Sequence, residues 1–265
     1  MKAVFLDLSG VLYIGQEAIP GAVQAVARLQ RSGLTLRFVT NTSRMTRRQI
    51  LDSLRQLDFE IEDAQLVTAP LAARDWIQSR GLRPYCLIHD AIREEFAGLD
   101  QSDPNAVIIG DAADGFTYAA LNRAFELCLE GAPLVGIGRN RYFRLDGRFQ
   151  LDAGPFITAV EYAADTEAVI VGKPSRAFFE QVLGEIGCSP GDAVMVGDDV
   201  HGDVEGALKA GLQAVLVRTG KYRSGDERRI DGEFLVVDSV VEAVDALLAD
   251  EQAVAEPARD PFQSG

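Results

Sequence analysis

Four short polar segments carry the residue types that chemistry needs, and each follows an apolar run of strand length. Asp7-Leu8-Ser9-Gly10-Val11-Leu12 follows residues 3–6, and Thr40-Asn41-Thr42-Ser43 follows 34–39. Gly172-Lys173-Pro174 follows 168–171, and Gly197-Asp198-Asp199-Val200-His201-Gly202-Asp203 follows 193–196. Ligands of parallel α/β sheets bind beyond the carboxyl ends of the strands, so these segments are expected to meet in one crevice. Together they supply a carboxylate, a hydroxyl, an ammonium and an acidic cluster, an inventory suited to phosphoryl transfer. The acidic side chains are hard oxygen donors of the kind that hold Mg²⁺. Thr40 and Lys173 can bind phosphoryl oxygens and offset charge in the transition state. Asp7 can act as a metal ligand or as a nucleophile that forms an aspartyl-phosphate.

Two carboxylates about 4 Å apart repel by roughly 4 kcal/mol at an effective dielectric of about 20. Asp7, Asp198 and Asp203 in one crevice therefore need a cation, or protons held at raised pKa. Taken singly, each segment has a plainer use. An Asp after a strand serves turns and caps, Thr-Asn-Thr-Ser can cap a helix, Gly-Lys-Pro makes a surface turn, and Asp-Asp complements a helix dipole. Their order at four strand ends is what points to a site.

The elements that must position these groups alternate. Strands are expected at 3–6, 34–39, 168–171, 193–196, 214–217 and 234–237. Helices are expected at 20–31, from a Thr42 or Ser43 cap to 57, and at 176–187, 202–210 and 239–249. Runs apolar throughout indicate strands buried on both faces, and strand-helix alternation implies a parallel sheet. The middle of the chain has its own set: strands at 85–88, 106–109 and 134–137, with helices near 91–98, 117–130 and 155–164. Residues 141–151 read as a hairpin turning at Asp146-Gly147. The fold class is therefore α/β, with a smaller α/β unit at 81–166 inserted into a core of 1–80 and 167–249. The polar stretch 250–265 reads as a disordered tail.

The chain has 265 residues, 47% hydrophobic and 25% charged, the balance of a globular protein. No apolar run approaches the ~20 residues that span a bilayer, so no membrane partner is expected. A net charge of −14 disfavours nucleic acid and anionic lipid, which select clustered Lys and Arg. Cys86, Cys128 and Cys188 are far apart and form no CxxC pair, which excludes a disulfide framework or zinc site on spacing. They read as buried thiols, and with no signal-peptide pattern the expected location is cytoplasmic.

The four segments resemble the motifs of the haloacid dehalogenase superfamily of phosphohydrolases. Residues 7–12 match the first motif, Thr40 the second, Lys173 the third and residues 197–203 the fourth. The insert lies where that superfamily carries a C2-type cap. Phe116-Thr117-Tyr118, Gly131-Ala132-Pro133-Leu134, Gly154-Pro155-Phe156 and Thr219-Gly220-Lys221-Tyr222 are similar to the subgroup of phospholysine phosphohistidine inorganic pyrophosphate phosphatases and their hydrolase-domain-containing paralogues. The resemblance covers about residues 1–249 and implies a Rossmann-like parallel sheet with helices on both faces beneath the cap. It implies Asp7 and Lys173 as catalytic residues, with Asp7 the nucleophile. Mg²⁺ would be held by Asp7, the Ser9 carbonyl and Asp198, with Asp199 or Asp203 behind them. Thr40, Asn41 and Lys173 would bind the phosphoryl group. The substrate would be a phosphorylated small molecule or phospho-amine, and the protein a homodimer through the cap.

One position departs from the superfamily pattern. Most of its phosphatases carry a general acid-base Asp two residues after the nucleophile, and here that residue is Ser9. A serine hydroxyl cannot replace a carboxylic acid, whose help contributes ~10²–10⁴ in rate. Good leaving groups are then favoured, which points to phosphoramidates and pyrophosphate. A small-metabolite phosphate monoesterase, or a low-turnover regulatory module, are the alternatives. His201 reads as a solvated loop residue and His89 has no assigned role. Residues 136–141 lack the third glycine of a dinucleotide loop. Arg139 and Arg141 read as solvated charge, and Phe116, Phe143, Phe156 and Tyr162 as cap core.

Overall fold

The computed structural model describes residues 1–145 and 148–255. The turn expected at Asp146-Gly147 and the last part of the expected tail, 256–265, lie outside the described residues. The first half of the chain forms β1 (Ala3–Asp7), β2 (Tyr13–Ile14), β3 (Glu17–Ala18), α1 (Ala22–Arg31), β4 (Thr35–Thr40), α2 (Arg47–Gln56), β5 (Leu66–Thr68) and α3 (Ala69–Gln78). The insert forms β6 (Pro84–Leu87), β7 (Ala106–Ile109), α4 (Tyr118–Leu129), β8 (Leu134–Gly136), β9 (Tyr142–Leu145), β10 (Arg148–Leu151) and α5 (Ala153–Ala164). Then follow β11 (Val169–Ile170), α6 (Arg176–Glu185), β12 (Ala193–Gly197), α7 (Gly206–Lys209), β13 (Gln213–Val217), β14 (Leu235–Val237) and α8 (Val240–Ala255).

The main sheet has the order β14-β13-β12-β1-β4-β5, and every pairing in it is parallel. The chain leaves β1 toward β4 and β5, then returns to the other side of β1 for β12 to β14. The order thus reverses at β1, and a crevice opens at its carboxyl end. Asp7 pairs in register with Val39 and Leu6 with Val196, which sets Thr40 and Asp198 just beyond the strand ends beside Asp7. Both faces of the sheet are apolar. Leu6 and Phe38 pack with α1, α2 and α8 through Val26, Leu51 and Val244. Phe5 and Met195 pack with α3 and α6 through Ala73, Phe179 and Val182. Each fully buried Leu or Phe contributes roughly 1.5–3 kcal/mol, which holds the strand ends where the site needs them.

The insert builds a second parallel sheet, β11-β8-β7-β6. One face is covered by α4 and α5 through Leu127, Ala153 and Ile157. The other face, Ile108, Val135 and Ile137, joins the same apolar cluster as Ala69, Ala73 and Ile77 of α3. The strand expected for the main sheet at 168–171 is β11, and it pairs with β8 instead. Strand propensity cannot say which sheet a strand joins.

Several local expectations change. The cap of α2 is Thr46, whose side chain accepts from Gln49 N while the Gln49 side chain accepts from Thr46 N; Thr42 is used by Thr40 instead. The helix α1 starts after Gly21, which sits at φ 82. Residues 90–96 are a 3₁₀ helix, and the helix expected at 202–210 opens with a π-helical turn over Val200–Glu205. The short β5 and the alanine-rich α3 were not expected from the sequence. Helix α8 continues to Ala255, into the stretch assigned to a disordered tail, because Ala-Leu-Glu-Gln composition favours helix. Phe116 and Phe156 stack at 3.7 Å, but Tyr162 is 91% exposed and is not cap core. Replacing Thr46 by Ala removes half of a capping box, and should cost about 1–2 kcal/mol in urea unfolding; an unchanged midpoint would mean the cap does not hold α2.

Candidate active site

The buried ends of β1, β4 and β12 converge with the loop after β11. Lys173 Nζ donates to Asp7 Oδ1 at 2.6 Å and to Asp203 Oδ1 at 2.7 Å, and reaches Val39 O at 3.4 Å. Asp7, Thr40, Lys173, Asp198 and Asp203 are all buried. Carboxylate oxygens of Asp7, Asp198 and Asp203 lie within 4.8 Å of one another. At that spacing each pair of charges repels by about 3–4 kcal/mol at an effective dielectric near 20. One ammonium offsets part of this, and it touches only two of the three carboxylates.

The third carboxylate is held by backbone. Lys221 N donates to Asp198 Oδ2 at 2.6 Å. Gly10 at φ +90 and Gly220 at φ +62 bring two loops onto that same oxygen, where a methyl on either would collide with it. Thr219 Oγ1 donates to Gly10 O and ties the loops together. Asp198 Oδ1, by contrast, is buried without a hydrogen-bond partner. A buried carboxylate oxygen left bare is costly, and a divalent cation held by Asp7 and Asp198 would supply the missing partner. The oxygen-only donor set suits Mg²⁺.

The electrostatics follow from burial. Burial, then the Asp203 and Asp7 charges, push Asp198 up to about 8. Burial, with the Asp7 and Asp199 charges adding and Lys173 opposing, raises Asp203 to about 6. Burial works to lower the Lys173 pKa, but the charges of Asp203 and Asp7 outweigh it and keep the ammonium protonated.

The remaining expected residues take distinct places. The Thr40 hydroxyl donates to Thr42 Oγ1 at 3.0 Å and accepts from Thr42 N at 3.1 Å. Asn41 was expected to bind phosphate directly. Its side chain donates to Lys173 O at 2.8 Å and accepts from Lys173 N at 2.9 Å, so it clips the two loops together and aims Lys173. Ser9 is exposed and bridges to Tyr13. Asp199 Oδ1 accepts from His201 N at 3.1 Å and Gly202 N at 2.9 Å, capping the helix turn. His201 is exposed, and its Nδ1 lies 2.8 Å from Glu205 Oε2. His89 accepts from Ala91 N. Arg139 pairs with Glu161 at 2.6 Å within the insert.

Sequence reasoning missed Tyr13, whose phenol burial and then the Asp7 charge push up to about 12. It also missed Lys221, whose Nζ lies 3.3 Å from Asp199, and Arg44. Tyr13 and Arg44 lie within a few residues of a motif, but nothing in residue type marked them. Lys221 lay in a segment noted for its resemblance alone.

A haloacid dehalogenase-like hydrolase model matches residues 4–101 and a related model of hydrolases of that type matches 170–243. The chain is a haloacid dehalogenase-like phosphatase. It is 45% identical to haloacid dehalogenase-like hydrolase domain-containing protein 2 of Rattus norvegicus over 249 residues, covering 94% of this chain and 96% of the relative. It is 47% identical to the phospholysine phosphohistidine inorganic pyrophosphate phosphatase of Rattus norvegicus over 259 residues, covering 94% of each. The p-nitrophenyl phosphatase from Archaeoglobus fulgidus has the same fold at TM-score 0.85 and 25% identity, over 92% of this chain and 98% of that one. No helix among the described residues of this phosphatase is long and apolar enough to cross a membrane.

Asp198 and Asp203 bind protons more tightly in the folded than in the unfolded phosphatase. Their stabilising effect is complete below the ordinary carboxyl range and is lost as pH rises to about 6 and then about 8. In EDTA the thermal midpoint should therefore carry a downward contribution between about pH 4 and 8, and Mg²⁺ should raise the midpoint most at the upper end. Asp198→Asn should lift the EDTA midpoint at pH 8 by roughly 2–4 °C and remove the Mg²⁺ response. A lowered midpoint in that variant would show that the bare carboxylate is not a burden on the fold.

Proposed function

We propose that this phosphatase is Mg²⁺-dependent and works through an aspartyl-phosphate on Asp7, with a preference for phosphoramidates or pyrophosphate. The observation that carries the reading is the buried Asp7-Lys173-Asp203 chain of hydrogen bonds beside the unpartnered Asp198 Oδ1. Asp7, the Ser9 carbonyl and Asp198 would hold the metal, which when bound supplies charge neutralisation for the anionic nucleophile and the phosphoryl oxygens. Asp203 and Asp199 support that site from behind, Asp203 through Lys173 and Asp199 through the helix turn and Lys221.

The chain's own groups divide the reaction. Lys173 and Thr40 bind phosphoryl oxygens and stabilise the charge that develops on them. Asn41 fixes the backbone of Lys173. The Asp7 carboxylate attacks phosphorus, the bond to the leaving group breaks, and its electron pair departs with nitrogen or oxygen. Water then attacks the phosphorus of the aspartyl-phosphate, releasing inorganic phosphate and restoring Asp7. Ser9 offers no acid to the leaving group. A phosphoramidate nitrogen takes its proton from solvent before the bond breaks and leaves as a neutral amine, whereas a sugar alkoxide cannot leave readily without a proton from an acid. Similarity to a phospholysine phosphohistidine inorganic pyrophosphate phosphatase supports that substrate class.

Residues 81–166 serve as the cap over the crevice, with β11 adding a strand to its sheet. The exposed apolar side chains Tyr118, Leu129 and Tyr142 support a homodimer through that cap. The free cysteines support a reducing, cytoplasmic location. Sedimentation should show a dimer that Tyr118→Glu with Leu129→Glu converts to monomer; a wild-type monomer rejects the cap interface.

Phosphate release should be measured with and without Mg²⁺ on an N-phosphorylated amine, pyrophosphate and a sugar phosphate. Metal-dependent turnover of the first two is expected, with loss of at least about 10³-fold in Asp7→Asn. Persistent turnover in that variant removes Asp7 as nucleophile. Ser9→Asp should raise sugar phosphate turnover by about 10²-fold or more and phosphoramidate turnover far less. An equal response of both classes rejects the leaving-group argument.

A further inference from the structure

A short loop joins the phosphoryl-binding end of β4 to α2, and it is pinned at both ends. At its start Thr40 and Thr42 share a hydrogen bond, and Asn41 is clipped to Lys173. At its end Thr46 caps α2. Between them Arg44 reaches away from the core to the cap. Its Nε donates to Asp111 Oδ2, just past β7, and its guanidinium carbon lies 4.5 Å from the centre of the Phe143 ring on β9. Asp111 is 4% exposed, and its other oxygen accepts from Ala113 N at 3.0 Å. One side chain of the core is thus held by two separate elements of the cap. Four residues before it, on the same loop, stands Thr40, to which the proposed function assigns phosphoryl oxygens.

A second tie runs parallel to the first. The cap residue Glu95 accepts from Arg47 N at 2.7 Å, at the first turn of α2. This contact uses a backbone donor that the helix leaves free. It fixes the far end of the loop, so rotation of the cap would pull on the segment that begins at Thr40 at two points, Arg44 and Arg47.

We propose that Arg44 is a positioning residue that couples cap closure to the phosphoryl cradle through its contacts with Asp111 and Phe143. A planar guanidinium can pair with a carboxylate and lie on a ring face together, which an ammonium does less well. With the cap closed, the two contacts hold the loop so that Thr40, Asn41 and Lys173 keep their mutual geometry. With the cap open, Arg44 and Asp111 both return to water and the loop is released. Opening for product release and ordering for the next attack are then two positions of one contact.

The kinetic arm of this proposal rests on the phosphohydrolase reading, and a second arm does not. Arg44→Ala and Asp111→Asn should each lower kcat by about tenfold, the scale of an ion pair plus a cation–π contact, with a smaller change in KM and in the thermal midpoint. Arg44→Lys should recover part of the loss. The exchanged pair, Arg44→Asp with Asp111→Arg, should recover more activity than either of those single changes retains. Hydrogen exchange on the metal-free protein should show faster exchange at residues 40–46 and 137–140 in Arg44→Ala than in wild type. Faster exchange with no wild-type turnover on any substrate keeps the coupling and rejects the phosphohydrolase reading. Unchanged exchange, or losses that simply add in the exchanged pair, overturns the coupling. If Arg44→Ala does not fold, Arg44→Lys alone decides: exchange and kcat equal to wild type overturn the proposal, because the ring contact would then have no role.

Discussion

The structure is arranged around buried like charge. Three carboxylates lie within 4.8 Å of one another, at strand ends that the core excludes from water. Lys173 lies on two of them, and the third keeps one bare oxygen. A site of this kind is unstable unless its surroundings over-determine it. The parallel sheet does so by register, since the ends of β1 and β12 are level with each other. The two glycines do so by close approach, since a side chain at Gly10 or Gly220 would enter the Asp198 carboxylate. The same repulsion makes the site useful, because it keeps an oxygen-lined position ready for a cation.

Much of this was legible because the chemistry lies where local pattern is strongest. A strand buried on both faces is an unbroken apolar run, and the first polar residue after it must sit at the sheet edge. Asp7, Thr40 and Asp198 could be placed by that rule alone. Lys173 was legible as a residue, yet the strand before it belongs to the other sheet. Pairing between distant strands is decided by packing of the whole chain, and a two-residue strand carries no signature of its partner. Asn41 shows a different limit. Its residue type fits a phosphate ligand and a loop clip equally well, and the clip is visible only once the Lys173 N–H and carbonyl are placed. Arg44 and Asp111 were invisible for the same reason, being 67 positions apart.

Cap and core do not form separate hydrophobic units. Ile108, Val135 and Ile137 of the cap sheet share one apolar cluster with Phe5, Val39 and Met195 of the main sheet, through α3. Burial of that surface resists wide separation, since each exposed square ångström costs about 25 cal/mol. Any cap motion would therefore be a rotation that keeps this contact, with polar ties at the rim to limit it. Glu95 on Arg47 and Asp111 on Arg44 are the ties placed there.

Ser9 alters the balance of this site in more than its acid chemistry. An aspartate there would put a further carboxyl close to Asp7, in a crevice whose one buried ammonium is already shared by two carboxylates. With serine, the crevice carries one charge fewer, and on the proposed mechanism the cost would fall on the leaving group. A site without that proton donor would be biased toward leaving groups that need no proton from the enzyme. On the proposed reading, a nitrogen already protonated from solvent and a second phosphate neutralised by a cation would both meet that condition, and a sugar alkoxide would not.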